Sequence, residues 1–238
     1  MKNSLTRRLP ATLLAVAAAH VGLAPAASAQ GGLLGTGLLA PPSRPAPAAT
    51  PAATPAPPST LALETKLDSL RYDVGPIDGN IDDQTNSAIM AFEKVHGLAR
   101  TGVLTDALAT QIMATEGTPS PMAPGGEPHR VEVSLARQVL FLYENGSLSR
   151  ILAVSTGTSK TPTPTGQFRM YRSDPGWHTS RYGRLYNAQY FVGGYAIHGS
   201  LSVPAEPASH GCIRISMHSA EWFPSHVSRG TQVVIVEN

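Results

Sequence analysis

Between positions 61 and 115 the apolar residues recur once per helical turn. Leu63, Leu67 and Leu70 mark a first helix, closed by the Gly75-Pro76-Ile77-Asp78-Gly79 loop. A second begins near Asp82 or Asp83, sets Ala88, Phe92 and Val95 on one face, and stops at His96-Gly97. Thr105 is placed to cap a third helix carrying Leu108 and Ile112. A core of this size is marginal and suits a small binding module better than an enzyme. From His129 the period changes from helical to alternating. Val131, Val133 and Leu135 alternate with polar residues, positions 139–143 form an apolar run, and Asn145-Gly146 is a hairpin turn into a strand holding Ile151, Leu152 and Val154. Further strands are expected at 168–171, at Tyr190-Phe191 and at 232–236, and only 219–223 reads as helix. The predicted fold class is multidomain, a small three-helix module followed by a mostly β, sandwich-like domain.

Proline and glycine divide the chain further. Residues 1–29 have a basic start, an apolar run from Leu9 to Leu23 and a small-residue end, Ala27-Ser28-Ala29, which is the pattern of a secretory signal cleaved before Gln30. The run is too short for a stable membrane span, so none is expected after cleavage. Residues 30–60, rich in Pro, Ala and Thr, read as an extended tether that cannot build a core. Residues 116–128 read as a second linker, giving domains at 61–115 and 129–238; fully extended at roughly 3.3 Å per residue, that linker would let the second domain reach about 40 Å from the first. Removing Lys2, Arg7 and Arg8 with the signal changes the formal charge from +2 to −1, which is no nucleic-acid binder's balance. The distribution is uneven. Residues 61–115 hold four basic and eight acidic side chains, whereas 129–238 hold ten basic and six acidic, so the second domain suits an anionic ligand.

The single cysteine, Cys212, rules out an internal disulfide, and an exported free thiol calls for an explanation. It lies in I-H-G-S-L-S-V-P-A-E-P-A-S-H-G-C-I-R-I-S, residues 197–216, with His198 and His210 close in sequence. Gly199 and Gly211 would let backbone N–H groups approach a reacting carbonyl. These are the parts of a thiol acyl-transfer site. A zinc site made by His198, His210 and Cys212 is the rival reading, but no C-x-x-C or H-E-x-x-H spacing supports it.

Ser209-His210-Gly211-Cys212-Ile213-Arg214, preceded by His198, resembles the signature of the YkuD-like L,D-transpeptidases of bacterial cell walls, as do Ser155-Thr156-Gly157 and the segment from Thr161 to Phe168. The resemblance implies Cys212 as nucleophile and His198 as general base, with Gly199, Ser209, His210 and Gly211 supporting the site and its oxyanion hole. Arg214 falls at a substrate-side position, and no metal or organic cofactor is implied. The spacer from His198 to Ser209 is shorter than in many members, so the loop over the site is expected to differ. Gly75 to Gly79, Asp82 to Thr85, Ala88 to Phe92 and Gly97 to Gly102 resemble the peptidoglycan-binding domain type 1 family. Together these imply an exported periplasmic or wall enzyme acting on peptidoglycan stem peptides and open to carbapenem acylation. An L,D-carboxypeptidase, a wall-protein-anchoring enzyme and a non-catalytic wall-binding protein are the alternatives. With Gly199 beside it, His198 would have to be oriented by a backbone carbonyl.

Overall fold

The computed structural model describes residues 57–123 and 125–238; the signal segment 1–29 and most of the tether lie outside them. Three capped helices come first. In α1 (Thr60–Ser69) the Ser59 hydroxyl accepts from Ala62 N, in α2 (Asp83–Val95) the Asp82 carboxylate accepts from Thr85 N at 2.7 Å, and in α3 (Asp106–Ala114) Thr105 accepts from Leu108 N. Each cap satisfies an N–H that the helix itself cannot. Among the described residues no helix is long and apolar enough to cross a membrane.

The rest is two sheets and one helix. The first sheet contains β1 (Arg130–Ser134), β2 (Val139–Glu144), β3 (Ser147–Ala153), β4 (Gly166–Arg169) and β9 (Gln232–Val236), in the order β3-β2-β1-β9-β4. The second contains β5 (Arg172–Ser180), β6 (Gly183–Val192), β7 (Tyr195–Gly199) and β8 (Ile213–Ile215), in that order. Helix α4 (Met217–His226) follows β8 and is capped by Ser216. The long β5–β6 hairpin goes beyond the expected strand at Tyr190-Phe191. As expected, the Pro162-Thr163-Pro164 segment is loop.

The apolar run in β2 is explained by its neighbours on both sides. Leu140 and Leu142 join Val131, Val133, Ile197, Ile213 and Val233 in the core between the sheets, while Val139, Phe141 and Tyr143 join the helices' Leu63, Leu67, Ile89 and Phe92 in a second core. Alternate side chains of one strand thus serve two layers. Helix α2 lies at this junction, which is why Ala91 and Lys94 are buried along with Ala88 and Phe92; its pattern is not that of a one-faced surface helix.

This shared core removes the freedom expected of the 116–128 linker. Met122 N and Ala123 N donate to the buried Glu132 carboxylate, Glu127 N donates to Gln232 Oε1, and Pro128 O accepts from Gly146 N, so the segment is held along the β domain. Polar contacts also cross the junction. Ile151 N donates to Arg71 O at 2.7 Å and Asp73 N to Ile151 O at 3.1 Å; the Asp73 carboxylate accepts from Ser219 Oγ at 2.6 Å and Trp222 Nε1 at 3.2 Å. A fragment beginning at 129 would expose the outer face of β2 and β3, so the helices are part of the β domain's fold.

Lys94 shows the electrostatic price of the junction. Its Nζ is buried and donates to Val154 O at 2.9 Å, and burial, assisted by Arg100 against Glu206 and Glu93, pulls it from an ordinary value near 10.5 down to about 7. Between those values the unfolded chain holds more protons than the folded one, so the penalty is full below about pH 7 and fades as pH rises toward the unfolded value. Lys94→Met removes it but leaves Val154 O unpaired, at roughly 1 kcal/mol that does not vary with pH. The stability of Lys94→Met relative to the native protein should therefore fall as pH rises from about 6 to about 10, measured by urea unfolding across that range. A difference that stays flat would show that Lys94 does not titrate there.

Candidate functional site

Strands β7 and β8 pair in parallel, with Ile197 opposite Ile213 and His198 opposite Arg214. Ile197, Ile213 and Ile215 point into the core between the sheets, so His198 and Arg214 take the opposite face. Both line a cavity of about 670 Å³, as does Cys212, one residue before β8. The segment 200–212 closes the crossover without a helix.

His198 is buried, and its Nδ1–H donates to Gly199 O at 2.9 Å, as a carbonyl can only accept. That bond fixes the tautomer and leaves Nε2 with a free lone pair. Burial is the main influence lowering the affinity of His198 for a proton and Arg214 adds to it, while the Gly199 bond opposes both. Burial likewise pushes the Cys212 thiol up, against a backbone hydrogen bond from Ala196 and the Arg214 charge; Sγ also lies 3.8 Å from Gly194 O. Burial thus favours the neutral form of both groups.

Ser209 and Gly211 shape the turn that carries Cys212. The buried Ser209 hydroxyl accepts from Gly211 N at 3.0 Å and donates to Cys212 O at 2.5 Å, and Thr163 Oγ1 donates to Gly211 O at 2.8 Å while accepting from Gly157 N at 2.9 Å. Gly211 has φ +111°, and a Cβ there would lie 2.3 Å from the Tyr195 ring. Its N–H, expected near an oxyanion, is taken by Ser209, so Gly211 contributes room and shape. Gly199, expected in the same support set, contributes its carbonyl to His198; a Cβ there would meet Ala220 Cβ at 2.6 Å. His210 is exposed at the same cavity and stacks on Tyr182, ring centroids 5.0 Å apart. Among the described residues no three His, Cys, Asp or Glu side chains gather as a metal-ligand set, so His198, His210 and Cys212 do not converge as the zinc reading required.

The cavity also takes in residues that sequence reasoning did not single out. Lys160, Arg172, Arg181 and Arg184 join Arg214 in its wall, with Tyr182, Tyr190 and Tyr195 and no carboxylate. The basic excess of residues 129–238 was the available signal. Its focus on one cavity depends on the β5–β6 hairpin and on the loop 155–165, which are distant in sequence from Cys212.

A two-sheet β domain with a cysteine and a histidine in one basic cavity, backed by a three-helix module, is the architecture of a wall-acting enzyme class, and the comparisons with known proteins agree. Residues 128–235 match the YkuD L,D-transpeptidase catalytic domain, and residues 57–112 match a domain described as "Putative peptidoglycan binding domain". A Bacillus licheniformis protein named "Putative L,D-transpeptidase YkuD" is 31% identical over 112 residues, which are 45% of this chain and 66% of that one. The crystal structure of an L,D-transpeptidase from Xylanimonas cellulosilytica has a TM-score of 0.68 and 34% identity, covering 75% of this chain and 93% of that one. The chain belongs to the L,D-transpeptidase family.

Ser209→Ala leaves the buried Gly211 N–H without its acceptor and is expected to lower stability by about 1–3 kcal/mol. Gly211→Ala adds a steric clash and an unfavourable φ, so it should lower stability further. Urea unfolding of both variants tests the order. A Ser209→Ala protein as stable as the native one would show that the turn is held by other contacts.

Proposed function

We propose that the protein is an exported cysteine L,D-transpeptidase that crosslinks peptidoglycan. Cys212 Sγ attacks the carbonyl between the third residue of a stem peptide and its terminal D-alanine, and its proton passes to His198 Nε2. The C–N bond breaks, His198 gives that proton to the departing D-alanine amine, and a thioester remains on Cys212. An amine of a neighbouring stem then attacks the thioester, loses a proton to His198, and Cys212 leaves and recovers its proton. Family membership supports the reaction class. The observation that carries the assignment is the Gly199 carbonyl holding His198 in one tautomer beside the cavity that also contains Cys212. The five cations in the wall suit the carboxylates of stem peptides. A wall substrate also accords with the matched peptidoglycan-binding module and with the apparent signal at residues 1–29.

Purified protein with a defined tetrapeptide muropeptide should release D-alanine and show an acyl adduct on Cys212 by mass spectrometry. Cys212→Ala should abolish both, and His198→Gln should slow turnover by about 10²–10⁴-fold. Iodoacetamide should stop the reaction and EDTA should not. A carbapenem should add its mass to the native chain and not to Cys212→Ala. Full acylation of Cys212→Ala would overturn the nucleophile. If free water wins over the amine, the product is a tripeptide without crosslink, and the enzyme is an L,D-carboxypeptidase.

The burial of both groups makes a separate pH prediction. Because burial raises the thiol and lowers the imidazole, alkylation of Cys212 by iodoacetamide should reach half its maximal rate above the ordinary thiol range. The acid limb of kcat/KM should fall below the ordinary histidine range. A thiol that alkylates fully at neutral pH would instead mean a preformed thiolate–imidazolium pair.

A further inference from the structure

The basic cavity around Cys212 adjoins two others. A smaller cavity of about 240 Å³ shares Arg184, Ser200 and Arg214 with it. That smaller cavity in turn shares Ser200 and Leu201 with a groove of about 840 Å³ between the β domain and the helical module. Through these shared lining residues the three lie in a row from the thiol to the start of α2, and the row changes character along its length. Near Cys212 it is cationic. Over the module it has no lysine or arginine and instead offers Asp83, Asn86, Ser87 and Thr101 as hydrogen-bonding groups.

Exposed apolar side chains stand along the same row. Trp177 lines the middle cavity, 40% exposed, with the Arg184 guanidinium over its ring at 4.2 Å. Leu201 and Val103 are 82% and 61% exposed and line the groove from the β domain and the module respectively. Hydroxyl and amide groups interleaved with apolar faces suit pyranose rings, which present C–H faces and equatorial hydroxyls, better than they suit the charged peptide.

We propose that this groove binds the uncharged glycan strand whose stem peptide lies in the Cys212 cavity. The inference rests on the transpeptidase reading of that cavity and adds where the sugar chain runs. The helical module then acts as a fixed glycan subsite of the enzyme, because its shared core with β2 and β3 holds its half of the groove against the other half. Charge sorts the substrate: carboxylates go to the arginines, and acetamido sugars go to the groove that has no lysine or arginine.

The test uses the full chain and two exposed positions outside the reacting pair, Val103→Glu and Leu201→Glu, each checked for an unchanged melting temperature. Kinetics are compared on a free tetrapeptide and on the same tetrapeptide attached to a glycan oligomer. In the native protein the glycan should lower KM about tenfold or more at similar kcat, and each variant should erase that gain while leaving free-tetrapeptide kinetics within about twofold. Equal KM for the two substrates in the native protein, or variants that keep the gain, would overturn the proposal, as would variants that slow both substrates alike. Calorimetry of peptide-free glycan oligomers on Cys212→Ala protein needs no turnover: binding that either groove variant weakens about tenfold supports the subsite even if the tetrapeptide is not processed, and no binding overturns it. Failure of the transpeptidase reading would appear separately, as an absence of acyl adduct on the free tetrapeptide.

Discussion

The parallel register of β7 and β8 is the constraint on which the site depends. Side chains alternate along each strand, so the same packing that draws Ile197, Ile213 and Ile215 into the core sends His198, Cys212 and Arg214 toward the cavity. A slip of one residue would exchange the two sets, and the loss of three buried isoleucines makes that slip costly. The hydrophobic core therefore aims the chemistry. Parallel neighbours also require a crossover of about a dozen residues, and the loop 200–212 is close to the shortest that can do this without a helix.

Around the cysteine the structure uses neutral hydrogen bonds and tight glycine contacts. Thr163, Ser209 and Gln138 each satisfy backbone groups of neighbouring segments, with Gln138 Oε1 accepting from Thr156 N and its Nε2 donating to Thr156 Oγ1. Such a scaffold supplies no charge to stabilise a thiolate. The Arg214 cation is the compensation, and it acts on both members of the pair: it favours an ionised Cys212 and disfavours a protonated His198.

The helical module and the β domain are joined in a way that a tether would not allow. Their common core covers the outer face of β2, and the buried Lys94 and Asp73 are each engaged across the junction. Buried polar contacts add little net stability but penalise any other docking, since a misplaced partner would leave a charged group dry and unpaired. The consequence is a fixed geometry between the helical module and the Cys212 cavity.

Much of this was legible in local signals. Capping residues Asp82 and Thr105, the Asn145-Gly146 turn, the change from helical to alternating period at His129, and the His198 and Ser209-His210-Gly211-Cys212 constellation all act through backbone dihedrals or chemistry within a few residues. The need for a carbonyl behind His198 also followed from the neighbouring glycine, and Gly199 itself supplies it. Other features depended on strand order and on contacts between distant segments, which periodicity does not carry. The β5–β6 hairpin is largely polar on its outer half and contains Pro175 and Gly176, so it lacked a strand pattern, yet its pairing brings Arg172, Arg181 and Arg184 to the cavity. The docking of the module was hidden in the same way: the apolar run of β2 was visible, but only the folded chain decided that both its faces are buried and that the helices cover one of them.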